Sequence, residues 1–434
     1  MKVKVVGGGL AGCEACYQLL KRGAEVTLVE MKKIKKSPAH HMDGLCELVC
    51  SNSLKSQDIN TASGLLKAEL DMLDSMVLRK ARECAVPAGN ALAVDRDLFS
   101  QKVTEELCGF GKFTLVDKVE DKIFDNDFDA VIIATGPLTD EALVPAMQEI
   151  FGSEFLYFFD AVAPIVTADS IDKSRCFTAS RYGKGDSDYI NCPMDKEEFI
   201  NFHRELVNAE TVPVKDFENN VFEGCMPIEV MAGRGQDTVR FGPLKPVGLT
   251  DPNTGKRPYA VLQLRSENAQ RSLYNLVGFQ THLRFPEQKR VFSMIPALHD
   301  AEFVRYGVMH RNTYINAPQF LDETFRLKDC AQNVYFAGQM TGVEGYVESL
   351  ASGLVAGVQC FNRLSGIPQT DFTDCTITGA LTKHVALSYG KYSPMNSNFG
   401  ILRPLEENIR DKSVKKQRYS ERSVAIMKQI TEKL

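Results

Sequence analysis

The stretch VKVVGGGLAGCEACYQLLKRGAEVTLVE, Val3 to Glu30, constrains the fold more than any other part of this chain. Val3, Val5 and Val6 make a short β-branched run, and Gly7, Gly9 and Gly12 then fit G-x-G-x-x-G. Leu10, Ala11, Ala15, Leu19 and Leu20 follow at helical spacing, and Val26, Leu28 and Val29 make a second strand that ends at Glu30. Each glycine has its own task. The first allows the tight turn, the second lets backbone approach a pyrophosphate, and the third lets the helix pack closely on the sheet. The unpaired amides of the helix N-terminus then face the phosphates. Glu30 lies at about the interval expected of a ribose-binding acid. A glycine triplet alone is weak; strands, helix and terminal acid together read as a dinucleotide-binding βαβ unit. The competing reading is a glycine-rich turn with no nucleotide.

Two further pieces decide between nucleotides. DAVIIATGP, Asp129 to Pro137, reads as a buried strand ending in Ala134-Thr135-Gly136. NVYFAGQMTGVEGYVESLASGLVAG, Asn333 to Gly357, reads as a strand, a glycine turn at Gly338, a loop and a helix rich in small residues. The order of all three pieces favours FAD and resembles the layout of two-dinucleotide-fold flavoproteins. The expected architecture is α/β: a Rossmann-type FAD-binding domain from 1–142 and 326–434, with an inserted α+β substrate and RNA domain over 143–325. The candidate cofactor-binding set is Gly7, Gly8, Gly9, Leu10, Ala11, Gly12, Glu30, Thr135, Gly136, Gly338, Gln339 and Gly342. Within the insertion, PYAVLQLRS reads as a strand, TDPNTGKRP as a turn, and DKEEFINFHRELVNAE as a helix.

Length and composition set the limits. The chain has 434 residues, enough for two or three domains, and no apolar run approaches a membrane span. The start, MKVKVVGGG, lacks the apolar stretch of a signal peptide, so a cytoplasmic protein with reduced thiols is expected despite twelve cysteines. A net charge of -5 excludes a globally basic nucleic-acid binder but leaves room for local patches. Lys32 to Lys36 (KKIKK), Arg284, Lys289, Arg290 and the basic C-terminal helix are candidate phosphate contacts; a solvated surface is the other reading of each.

Most thiols need no functional account. Cys13-x-x-Cys16 lies within the first helix and lacks a second pair at metal spacing, so both read as packing residues. His40 and His41 likewise lack ligand partners at suitable spacing; a loop or cofactor-adjacent role is expected, and no metal site. Two cysteines stand out. Cys50 sits among small polar residues in ELVCSNSLKS, and Cys225 sits in FEGCMPIEVMAGRG with Arg234, Arg240 and Lys245 following. Cations or a helix end turn a thiol into a nucleophile by lowering its pKa. From spacing alone, a packing role stands beside the reactive one for each.

Longer strings settle more. PAHHMDGLCELVCSNSLKS, VPAGNALAVDRD, YINCPMDKEEF, FEGCMPIEVMAGRG, GPLKPVGL, LYNLVGFQTHLRFPEQKRV, EFVRYGVMHRNTYINAP, FAGQMTGVEGYVESLASGLVAG and PMNSNFG closely resemble the folate- and FAD-dependent tRNA (uracil-5-)-methyltransferase family, over nearly the whole chain. Departures are local: Phe285-Pro286 stands where the family usually has tryptophan before EQKR, and QLRSENA replaces QLRQDNA. The resemblance implies C5-methylation of a uridine in the T loop of tRNA. The carbon would come from 5,10-methylenetetrahydrofolate via reduced FAD, with NAD(P)H as reductant. It implies Cys225 as the nucleophile that adds to C6, and Cys50 in base-like or supporting work. Glu344, Tyr346 and Glu348 are candidates to line the flavin. The alternatives are the same chemistry on ribosomal RNA, a non-catalytic RNA-binding flavoprotein, a generic FAD oxidoreductase of small metabolites, and a relative of the longer wobble-uridine modification enzymes.

Overall fold

The first strand, Lys2–Val6, lies at the centre of a five-stranded sheet. The computed structural model describes the chain apart from residues 38, 153, 154, 162, 184–187, 213–225, 269, 308, 389–391 and 393; over 155–161 and 309–313 it describes backbone only. The sheet runs in the order Val334–Phe336, Ala130–Ile133, Lys2–Val6, Glu25–Glu30, Phe113–Asp117. Every neighbouring pair is parallel. Parallel strands are covered on both faces and so read as continuous apolar runs; Ala130–Ile133 is buried at every position. Strand order reverses between Lys2–Val6 and Ala130–Ile133, and in such sheets ligands bind beyond the carboxyl ends at that reversal.

The small residues of the Tyr346–Leu364 helix serve close packing. A Cβ on Gly353 would come within 2.1 Å of Ala11 O, and one on Gly357 within 2.9 Å of Ala15 O. This helix and Leu10–Leu20 therefore touch backbone to backbone, which brings the late part of the chain onto the first glycine turn.

The chain leaves this sheet and returns to it through two paired antiparallel strands, Phe155–Ala161 and Met309–Ile315. Between them lies a six-stranded antiparallel sheet in the order Phe177–Thr178, Tyr189–Met194, Ala260–Ser266, Leu273–Leu276, Ile165–Thr167, Phe303–Arg305. It has a separate core that includes Phe199, Phe202, Phe279 and Phe292. The expected helix here is Lys196–Asn208, fixed at its start by a reciprocal capping box between Asp195 and Glu198. Leu143, Met147, Phe151, Ile315 and Phe325 pack into the first core instead; Phe151 meets Phe320 and Phe336 edge-on at 4.9 and 5.2 Å.

A small third sheet, Ser53–Ser56, Ala91–Val94 and Ala85–Val86, joins the two larger ones. Fully buried Asn52 donates from Nδ2 to Val94 O and to Ser266 O, so one amide ties this sheet to the six-stranded one. The C-terminal helix, Lys412–Thr431, buries Tyr419, Met427 and Ile430 and packs on Ala62–Met72.

Candidate functional site

A groove enclosing about 1070 Å³, part of it open to solvent, lies at the strand-order reversal. Ten of the twelve expected cofactor-binding residues line it: Gly7, Gly8, Gly9, Leu10, Ala11, Glu30, Thr135, Gly136, Gly338 and Gln339. The other two stand behind it. A Cβ on Gly12 would sit 1.9 Å from Gly7 O, so this glycine sets the approach of helix to turn. Gly342 is packed against Tyr392, whose hydroxyl would lie 2.4 Å from an added Cβ.

The turn itself explains its glycines. Gly7 has φ +101°, and a side chain there would strike Ala134 O at 2.5 Å. Gly9 has only open space where a Cβ would point, so its backbone is left accessible to a ligand. Glu30, nearly buried at the end of its strand, accepts from Gly8 N at 2.6 Å, Met31 N at 2.7 Å and Lys32 N at 3.0 Å. A carboxylate fixed this way keeps lone pairs for a ribose hydroxyl. Helix N-terminus, bare glycine backbone and acidic strand end together fit the phosphates and ribose of a dinucleotide.

The remaining walls come from late and early segments together. Tyr346 and Ser349 enter from the start of the small-residue helix, and His40, Glu47 and Val49 from the loop after the second strand. Cys50 follows Val49 and is half-buried. The Tyr346 hydroxyl accepts from Cys50 N at 2.8 Å and from Ser51 N at 3.1 Å. Burial pushes the Tyr346 phenol well above its ordinary range, so it stays neutral. Tyr346 thus does two things at once, lining the groove and fixing the loop that carries the thiol.

Cys225 lies outside the described residues. The chain on either side of its segment is anchored to one stretch: Val212 N donates to His282 O at 2.9 Å, and Ile228 N to Gln280 O at 2.8 Å. Glu229 reinforces that stretch, accepting from Thr281 Oγ1 and from His282 N, both at 2.8 Å.

Other expectations fare differently. Glu344 accepts from Gln339 Nε2 at 2.7 Å, while Glu348 is fully buried and accepts from Ser397 N and Oγ. Cys13 and Cys16 are fully buried packing residues. His40 lines the groove, as a cofactor-adjacent residue would. Among the described residues no three His, Cys, Asp or Glu side chains cluster as a metal site. Within the KKIKK run Lys33, Lys35 and Lys36 are exposed, and each meets a carboxylate. Lys32 is buried against Gly44 O, Lys33 pairs with Asp117, Lys35 with Asp140, and Lys36 with Asp43. Arg284 and Arg290 likewise face Glu210, Glu205 and Glu287, while Lys289 stays exposed. Asp43 and Glu287 lie within seven residues of their partners, but Asp117, Asp140, Glu205 and Glu210 come from distant segments that sequence spacing could not reveal. It also missed Arg96, Arg265 and Arg305, which surround the Cys50 loop; the available signal was their presence inside the long strings VPAGNALAVDRD, QLRSENA and EFVRYGVMHRNTYINAP.

Known proteins resemble this chain. The family model for glucose inhibited division protein A matches residues 2–368. Over 435 residues the chain is 52% identical to the methylenetetrahydrofolate--tRNA-(uracil-5-)-methyltransferase TrmFO of Natranaerobius thermophilus, covering 100% of both chains. It is 53% identical over 434 residues to the protein of the same name from Acetivibrio thermocellus, covering 99% of each. Among solved structures, GidA of Aquifex aeolicus in its form II crystal matches with a TM-score of 0.70 at 14% identity, over 99% of this chain and 73% of that one. That last likeness is one of fold.

Proposed function

The chain belongs to the glucose inhibited division protein A family, and on that premise we propose that it is a folate-dependent tRNA (uracil-5-)-methyltransferase. The observation that carries this reading is the fixing of the Cys50 loop at the rim of a dinucleotide groove, in a chain about half identical, end to end, to enzymes of that name. The carbon source is 5,10-methylenetetrahydrofolate, and the product is 5-methyluridine.

The protein's own groups supply the rest. Amides at the glycine turn would hold the pyrophosphate of FAD, and Glu30 would hold its ribose. Reduced FAD, when bound, relays the one-carbon unit and provides the hydride that completes the methyl group. Uracil C5 is a poor nucleophile, so a thiolate must first add to C6 and turn the ring into an enolate. Cys225 takes that role. C5 of that enolate then bonds to the one-carbon unit, Cys50 accepts the C5 proton, and elimination across C5–C6 releases the Cys225 thiolate. NAD(P)H would be the reductant for the bound flavin. The target is a T-loop uridine, turned out of its stack at a cost of a few kcal/mol so that both ring faces are reached. The excursion over 143–325 forms the substrate-facing unit.

The test incubates purified protein with labelled methylenetetrahydrofolate, NADH or NADPH, and either unmodified tRNA or ribosomal RNA. The modified base is mapped by mass spectrometry. Label at C5 of a tRNA uridine, abolished in Cys225→Ser and strongly reduced in Cys50→Ser, is expected. A flavin-loaded protein that leaves tRNA unlabelled would refute the reading, and label confined to ribosomal RNA would reassign the substrate.

A further inference from the structure

Residues 48–52 belong to the FAD-binding side of the molecule, yet much of what fixes them reaches across from elsewhere. Arg96 Nη1 donates to Leu48 O at 3.0 Å. Arg305 Nη2 donates to Val49 O at 2.5 Å. Arg265 Nη2 donates to Ser51 Oγ at 3.0 Å, and its Nε to Asn52 Oδ1 at 2.9 Å. Arg265 and Arg305 stand on two strands of the six-stranded sheet, Ala260–Ser266 and Phe303–Arg305. Both interact electrostatically with the Cys50 thiol.

The charge around this loop does not balance. Arg265 is only 8% exposed; Glu267 pairs with Arg96 at 2.8 Å and acts electrostatically on Arg265 and Arg305. Among these described groups three guanidiniums face one carboxylate. From the facing helix comes Tyr346, a neutral phenol. Glu47, on the loop itself, accepts from His41 N and Met42 N and so turns its charge toward that bend. His40 borders the groove on the same side, bonded through Nδ1 to Ser37 Oγ at 2.6 Å. Buried cations in excess are costly unless an anion joins them, and a thiolate is the anion this loop can itself provide.

We propose that Arg265 and Arg305 are positioning residues that hold Cys50 in place and favour its thiolate, so that the seating of the inserted sheet sets the reactivity of a thiol on the cofactor side. Its importance for methyl transfer rests on the function proposed above; the charge linkage itself is read without turnover.

The experiment uses the full-length flavoprotein. Iodoacetamide pulses across a pH series are followed by mass spectrometry of the peptide bearing Cys50, with exposed Cys108 as internal reference. Arg265→Met and Arg305→Met should each raise the alkylation midpoint of Cys50 by about one pH unit, the size of shift a nearby cation produces. Arg305→Lys, which keeps charge but loses the fork, should raise the plateau rate and largely keep the midpoint. Glu267→Gln should move the midpoint the opposite way. A purely structural role for the arginines would change only the plateau. Midpoints within about 0.2 unit of the parent in flavin-retaining Met variants would overturn the proposal. If the Met variants do not fold, an unmoved midpoint in Glu267→Gln overturns it instead. Shifted midpoints in a protein that methylates no RNA would leave this inference standing and remove the proposed function.

Discussion

Tyr346→Phe isolates the link between the small-residue helix and the thiol loop. The ring and its packing remain, and only the oxygen that accepts from Cys50 N and Ser51 N is lost. A buried amide left without an acceptor costs about 1–3 kcal/mol. Cys50 and Ser51 are half-buried, so water can partly replace the hydroxyl, and the low end of that range applies to each. The expected total is about 2 kcal/mol, or roughly a 30-fold fall in the ratio of held to released loop. In a unit of 150–250 residues this lowers the melting temperature by about 4–8 °C. Single-turnover methyl transfer should fall by a factor of up to about 30, the ceiling reached when the released loop predominates, with tRNA affinity unchanged. Thermal melting of the flavin-loaded protein and rapid-quench measurement of 5-methyluridine check both figures. Because Arg305 holds the adjacent Val49 O, the double variant with Arg305→Lys should be non-additive. A Phe variant that melts and turns over like the parent would show that the hydroxyl does not hold the loop.

Two further outcomes follow from packing and charge. Gly353→Ala would place a methyl 2.1 Å from Ala11 O, a backbone atom that moves only with its helix. Urea unfolding should show a loss of about 1–3 kcal/mol together with weakened flavin retention, whereas Gly111→Ala, with open space at its Cβ, should be nearly silent. The second concerns acid. Nearly buried Lys4 faces Glu120 at 2.5 Å and Asp125 at 2.9 Å. Burial raises the Glu120 carboxyl, but its pairing with Lys4 outweighs this and leaves it below 4.5; Lys4 holds Asp125 below 3.8. Carboxyls depressed in the folded state stabilise it above their unfolded values and lose that effect as pH falls through the folded ones. Stability should therefore decline below about pH 4.5, and Lys4→Met should flatten that limb while costing about 3 kcal/mol at neutral pH. An acid limb of unchanged slope in the folded Lys4 variant would assign the decline to other groups.

The nucleotide-binding half was legible because its physics is local. A turn that needs positive φ at Gly7, a close approach at Gly12 and an acid at the end of the next strand must be written in consecutive residues. The capping box at Asp195 and Glu198 is local for the same reason. The small residues near Gly353 were legible as a helix, but their purpose was not. They admit the Leu10–Leu20 helix, about 340 residues away in sequence. In the basic run from Lys32 to Lys36 the charges were legible, but the carboxylates of Asp117 and Asp140 that meet Lys33 and Lys35 come from parts of the chain that folding brings near.

By itself, the order of residues determined the parallel sheet, the glycine turn, the position of the cofactor groove and two thiols whose settings invite chemistry. Tertiary structure alone decided what surrounds Cys50: a phenol from residue 346 and guanidiniums from residues 96, 265 and 305. The physical reason is range. Backbone dihedrals and periodic burial act over a few residues and leave a pattern in the chain, whereas a charge acts on whatever the fold sets within a few ångströms, however far away it was encoded.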